Sequence, residues 1–175
     1  MKRNAGGAEP ADSREVSIRC ARSEEAGRLT ALALRSKAHW GYDAAFMRAC
    51  VPALTVTAER LKAEPFFVLE QAGAIAGFGA LRIDGAHAEL TNLFVEPEAI
   101  GRGYGRRLWR YAIELARGLG ARRMFIASDP FAEPFYRAMG AERIGETPSD
   151  AIPGRVIPLL MYRLPDMTET PLTAP

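Results

Sequence analysis

The sequence predicts an α/β fold of α+β type, a single domain with a mixed, mostly antiparallel sheet flanked by helices. Three observations lead there. Strand-like segments at residues 66–70, 75–81 and 87–95 follow one another closely, separated by turn signals at Ala72-Gly73 and Asp84-Gly85, the pattern of an antiparallel meander. Pro97 stops the third strand, and alternate glycines at Gly101, Gly103 and Gly105 open a helix whose Leu108, Tyr111, Ala112, Leu115 and Leu119 recur at helical spacing. A short apolar strand at 124–127 follows, so strand, helix and strand form a crossover that requires one parallel pair.

The remaining elements fit around this centre. Residues 16–20 alternate like a strand, and Ser23 is placed to cap a helix carrying Leu29, Leu32 and Ala33 toward His39. Trp40-Gly41-Tyr42-Asp43 interrupts it. Asp43 then caps a second helix with Phe46, Met47 and Cys50, which Pro52 ends, and Thr57 caps a further turn. Gly118 and Gly120 close the long helix. Residues 135–140 form a short helix, with Pro134 tolerated in its first turn. The last strands fall at 143–146 and 159–163, joined by a loop around Pro148 to Pro158. Residues 15–164 read as one domain, and 1–14 and 165–175 as flexible tails.

At 175 residues the chain suits one domain with a real core. A formal net charge of +2 is too small to mark nucleic acid as the main partner. The basic character is local: Lys2, Lys37 and Lys62 are the only lysines, whereas Arg102, Arg106, Arg107 and Arg110 crowd the glycine segment. Arginine grips phosphate through a planar fork, although Arg110 and Arg117 read better as a solvated helix face. Cys20 and Cys50 lack metal-ligand spacing and read as small core residues of a reduced, cytoplasmic protein, with no metal expected. The first fourteen residues lack the apolar segment of a signal or anchor, and the most apolar run, 72–81, is too short for a bilayer. A homodimer is one possible assembly, with the late strand paired at an edge or covered by the tail.

The glycine segment is the most informative stretch. Glycine allows tight turns and close backbone approach, and the first N–H groups of a helix attract anions. A dinucleotide fingerprint would be Gly-x-Gly-x-x-Gly directly after the strand; here Pro97 to Ile100 intervene and the spacing is Gly-x-Gly-x-Gly. A Walker loop is excluded as well, since Arg106 and Arg107 stand where Lys and Ser or Thr are needed.

Leu93-Phe94-Val95-x-Pro97, the glycine loop, and then Asp129-x-x-Ala132-x-x-Phe135-Tyr136-x-x-x-Gly140 resemble the GNAT superfamily of acyl-CoA-dependent N-acetyltransferases, over residues 16–164. The resemblance implies acetyl-CoA as acyl donor. It places the pyrophosphate on backbone N–H groups from Gly101 to Gly105, with Arg102, Tyr104 and Arg106 in the same seat. It implies a strand splayed from its neighbour, whose Leu93, Phe94 and Val95 pair with the pantetheine arm, and a tyrosine, Tyr136, near the thioester sulfur. Two departures stand out. The usual Arg or Gln opening the loop is Ile100, which leaves the grip to backbone N–H groups, and the frequent Asn before the late helix is Asp129, which the resemblance places against the cofactor, where it keeps an acceptor and adds a negative charge.

Aminolysis of a thioester needs a neutral amine, a base for its proton and an acid for the departing thiolate. Tyr136 can donate from its hydroxyl; the other reading is a core aromatic, with Phe135 supplying the buried ring. Strand N–H groups, that of Phe94 among them, can stabilise an oxyanion. Glu89, on the strand leading to the glycines, reads as the base or as an exposed strand residue; His87 has the better intrinsic pKa but sits nearer a turn. Trp40 and Tyr42 frame an acceptor or close the core, and Arg155 meets an acceptor carboxylate or faces water. Two functions follow: transfer of an acetyl group to a primary amine of a small molecule or peptide, or a non-catalytic acyl-CoA sensor or partner-docking module of the same fold.

Overall fold

The meander forms as the turn signals require. In a computed structural model, which describes residues 16–165, β2 (Phe66–Gln71), β3 (Ala74–Asp84) and β4 (His87–Val95) pair antiparallel in succession. Ala72 and Gly73 both take positive φ, 51° and 78°, the backbone of a tight hairpin whose twist matches its strands. β1 (Val16–Cys20) adds outside β2. The crossover through α4 (Tyr104–Gly118) brings β5 (Arg123–Ala127) parallel to β4, and β7 (Val156–Arg163) and β6 (Glu142–Pro148) complete the order β1-β2-β3-β4-β5-β7-β6. The β4–β5 pair is the parallel one, as predicted.

Two cores lie on the two faces. Phe67, Leu69, Leu81 and Leu90 meet Leu108, Trp109 and Ala112 of α4, while Phe66, Val68, Phe78 and Ala80 meet Leu29, Leu32 and Ala33 of α1 (Ala26–Ala38). The four residues 66–69 are therefore buried on both sides, which explains an apolar run without alternation. Gly79 is dictated by this packing, because a Cβ there would stand 2.4 Å from the Phe67 ring. α2 (Ala44–Leu54) and α3 (Ala58–Ala63) extend the α1 side, and α5 (Glu133–Ala138) follows β5.

The central strands part early. β4 and β5 pair only between His87–Glu89 and Arg123–Phe125. Beyond that point β5 continues with β7, and β4 continues with β3 alone. Thr91 is the cause on the β4 side: Ala80 pairs with Asn92 and Leu81 with Leu90, so Thr91 is an extra residue, a bulge that bends the strand. A cleft opens along the unpaired edge.

Several expectations change. Ser23 does not cap α1; it lies in a 3-10 turn, Ser23–Glu25, where the Glu25 carboxylate accepts from the Arg22 N–H at 2.7 Å and pairs with Arg19. Asp43 and Thr57 do cap, accepting from Phe46 and Arg60 N–H groups. α2 runs two residues past Pro52 to Leu54, because only the last turn loses a hydrogen bond to the proline. β6 reaches Pro148 and β7 starts at Val156, shortening the connecting loop to 149–155. β7 is internal, so the sheet edges belong to β1 and β6 rather than to the late strand. In α4, Trp109 and Ala116 fill the core and Leu119 is exposed, since Leu119 caps the helix ahead of the left-handed Gly120. Cys50 is buried but Cys20 is exposed near the end of edge strand β1. The tails expected at 1–14 and 165–175 lie outside the described residues, apart from Pro165. Among the described residues, no helix is long and apolar enough to cross a membrane.

Candidate active site

The cleft between the parted strands has a volume of about 810 Å³. At one end is the glycine loop. Gly101 and Gly103 take φ of 84° and 80°, left-handed backbone that favours glycine, and nothing lies within 4 Å of where their Cβ atoms would stand. Gly103 caps α4, whose first backbone bond runs from the Arg107 N–H to the Gly103 carbonyl; the N–H groups of Tyr104, Gly105 and Arg106 have no partner inside the helix. Gly105 allows a third close approach: its Cβ would meet the Phe135 ring at 3.4 Å. Gly101, Gly103, Tyr104, Gly105, Arg106 and Ile100 line the cleft. Arg102 does not, and its N–H already donates to the Ala99 carbonyl. This end offers unpaired N–H groups and the positive end of a fifteen-residue helix to an anion.

Along the floor, Leu93, Phe94 and Val95 bond to β3 on one side and face the cleft on the other. Gly77 permits this pairing, since a Cβ there would lie 2.8 Å from the Phe94 carbonyl. A row of strand N–H and C=O groups beside open space is suited to an extended amide-bearing chain.

Tyr136 lines the cleft and is 6% exposed, packed against Trp109 and Phe135 at 5.7 and 5.2 Å between ring centroids. Phe135 is half-buried, so Tyr136 is both the buried ring and the polar group. Among the described residues its hydroxyl makes no hydrogen bond, and burial, with the Asp129 charge adding, raises its pKa well above the usual phenol value. The phenol therefore stays protonated. Glu89 also lines the cleft, where β4 leaves β5, and is bound to Arg82 at 2.8 Å. His87 sits on the exposed end of β4, edge-on to Phe125, outside this cleft. The sequence reading missed Asn92, which is buried and accepts from Arg60 at 3.2 Å on the cleft wall; its position in an apolar strand was the available signal.

The other end is made of side chains from distant segments. Asp129 forms an ion pair with Lys37, accepts from the Tyr42 hydroxyl at 3.0 Å and from the Phe131 N–H at 2.9 Å. Burial pushes the Asp129 carboxyl up, but Lys37, the Phe131 N–H and Tyr42 together hold it below the usual carboxylate range. Arg155 donates to the Tyr42 hydroxyl at 3.0 Å and lies over the Phe46 and Tyr42 rings. Trp40 is exposed at the rim and stacks on Phe131, so it does not close the core. Tyr42 stands behind the wall, stacked on Phe46 at 4.0 Å, and acts through Asp129 and Arg155. Trp40, Tyr42 and Arg155, singled out separately in the sequence, are brought together here with Lys37 and Asp129.

A sheet parted at its parallel pair, with a glycine loop at the mouth of the cleft, is the frame on which the family can be identified. The sequence profile of the Acetyltransferase (GNAT) family matches residues 32–141, and the chain belongs to that family. A relative in Bacillus subtilis (strain 168), provisionally named a ribosomal protein bS18-alanine N-acetyltransferase, is 31% identical over 80 residues, 44% of this chain and 53% of the relative. The match thus spans about half of that protein. Among solved structures, a GCN5-related N-acetyltransferase from Rhodopseudomonas palustris superposes with a TM-score of 0.73 at 21% identity, covering 85% of this chain and 95% of that one, a likeness of fold. N-acetylglutamate synthase from Neisseria gonorrhoeae, solved with coenzyme A and N-acetyl-glutamate, gives a TM-score of 0.61 at 26% identity over 88% of this chain and 36% of its own.

Proposed function

We propose that residues 15–164 form one catalytic domain that transfers the acetyl group of acetyl-CoA to a primary amine of a small molecule or peptide. The observation that carries this reading is the cleft itself: unpaired N–H groups of Tyr104 to Arg106 at one end, the free edge of β4 along it, and an unengaged Tyr136 hydroxyl on its wall. The residues fit a CoA thioester, since left-handed Gly101 and Gly103 leave open space where side chains would intrude on a pyrophosphate. In this reading the backbone of Gly101, Gly103, Tyr104, Gly105 and Arg106 holds the pyrophosphate, and Arg102 adds charge only. Leu93, Phe94 and Val95 pair with the pantetheine arm. Asp129, first read as a donor contact, instead organises the acceptor end, because its oxygens are taken by Lys37, Tyr42 and Phe131. The solved gonococcal synthase supports CoA as donor through its bound coenzyme.

The donor supplies an activated acyl group. The amine nitrogen attacks its carbonyl, the carbon–nitrogen bond replaces the carbon–sulfur bond, and Tyr136 gives its proton to the leaving thiolate. Glu89, shared with Arg82, takes the amine proton through water. A cytoplasmic setting fits the two free cysteines. Two measurements test the reading. Melting with CoA, NAD and ATP should give a CoA-specific rise, about 2.7 kcal/mol at a hundredfold excess over Kd. Thiol release from acetyl-CoA with a panel of amines should then show turnover. CoA binding without release from any amine would favour the sensor reading.

A further inference from the structure

Two cations that line the cleft have no ion pair among the described residues: Arg106, exposed on the first turn of α4 at the glycine end, and Arg155 at the far end. Lys37 is neutralised by Asp129, and Arg60 and Arg82 are bound to Glu64 and Glu89. Arg155 is half-buried and lines the cleft, yet among the described residues its side chain makes one hydrogen bond, to the neutral Tyr42 hydroxyl, and no ion pair. Asp150, on the same loop, also lines the cleft but is exposed and forms no ion pair with it. The guanidinium is nevertheless firmly placed. Its carbon lies 4.8 Å from the Phe46 ring centroid and 5.4 Å from that of Tyr42, two rings stacked at 4.0 Å. Tyr42 is in turn fixed by Asp129, and Asp129 by Lys37. A half-desolvated cation whose planar fork is oriented but unanswered is a site for a planar anion.

We infer that Arg155 binds a carboxylate of the acceptor, so that the amine acetylated in this cleft belongs to a molecule that also carries a free carboxylate. The inference rests on the acetyl-transfer reading. The carboxylate, rather than the ammonium, is assigned to this end because Asp129, the one carboxylate in the network, already has both oxygens engaged and offers nothing to a second cation. Lys37, Tyr42 and Phe46 are positioning residues that hold the guanidinium open.

Matched acceptors test this. Thiol release from acetyl-CoA is measured with free L-amino acids, with their α-amides, and with the same residues opening tripeptides with a free or amidated C-terminus. The wild type should favour acid over amide by about 100-fold in kcat/KM, chiefly through KM. The pair of arms that shows the preference identifies the source as an amino acid or a peptide terminus. Arg155→Gln should bring the ratio close to one and Arg155→Lys should restore part of it; a ratio cancels any loss of folded protein. A wild-type ratio near one, or a ratio unchanged in Arg155→Gln, overturns the inference. So does a CoA melting shift that falls in Arg155→Gln as much as acceptor turnover does, which would make Arg155 a donor contact. If no amine supports release, acetyl transfer fails, and tryptophan fluorescence titrated with the same panel in the presence of CoA decides the subsite. A saturable signal with acids that is lost in Arg155→Gln supports it, and no signal with any acid overturns it.

Discussion

The two ends of the cleft are built on opposite principles. The glycine end is built of main chain: Tyr104, Gly105 and Arg106 present N–H groups from a helix start, and Ile100 brings no polar side chain to the loop. The far end is built of side chains drawn from four places, Lys37 at the end of α1, Tyr42 before α2, Asp129 after β5 and Arg155 before β7. A backbone seat changes little when side chains change. A side-chain seat can be altered one residue at a time, which suits a site that must distinguish acceptors.

The largest effect should come from breaking the backbone end. Gly103→Val puts a β-branched residue at φ 80° and fills open space in the cleft. CoA affinity should fall between ~100- and ~1000-fold, read by calorimetry, with acceptor preference unchanged in the residual activity. Next is the junction of the two ends. Tyr136→Phe should lower kcat about 100-fold with CoA affinity unaltered, and equal losses of both would reduce Tyr136 to a packing residue. Because burial raises this phenol, it keeps its proton through the working range, so kcat should show no alkaline fall from it below pH ~10.

A smaller effect belongs to the side-chain end. Asp129 is held below its ordinary carboxyl range, so its contribution to stability is present above the unfolded value near ~4 and lost as pH falls through the folded one. Asp129→Asn should cost about 2 kcal/mol at neutral pH in denaturant melts, with the gap from wild type closing in acid. CoA binding should be unaffected, which sharpens the contrast. The least should come from Glu89→Gln, about tenfold in kcat/KM, because Arg82 already shares that carboxylate. A loss beyond a thousandfold would make Glu89 the principal base.

What was legible in the sequence follows the same division. The meander, the crossover and the glycine seat depend on residues close in the chain, so turn chemistry, periodicity and spacing sufficed for them. The far end depends on contacts such as Lys37 with Asp129, ninety-two residues apart, and Arg155 with Tyr42, one hundred and thirteen apart. Trp40, Tyr42 and Arg155 could be singled out by type, but nothing local told that Tyr42 stands behind the wall or that Lys37 neutralises Asp129. Cap and strand ends differ where tertiary partners intervene: Arg19 holds the Glu25 carboxylate against the Arg22 N–H, so Ser23 lies in a 3-10 turn and α1 starts without a side-chain cap.

The extra residue at Thr91 sets the parity of β4. Ahead of it, Ala88 and Leu90 pack toward α4; after it Leu93 and Val95 do, and Phe94 turns to the α1 core. Odd and even positions thus exchange faces across a single residue. Losing Thr91 would remove that exchange: Leu90 and Asn92 would become neighbours, the side chains on both flanks would keep their faces in strict alternation, and the strand would regain the straight edge that lets it pair on with β5. A one-residue deletion here should keep both cores packed while closing the cleft, a loss of CoA binding that no replacement of Thr91 should match.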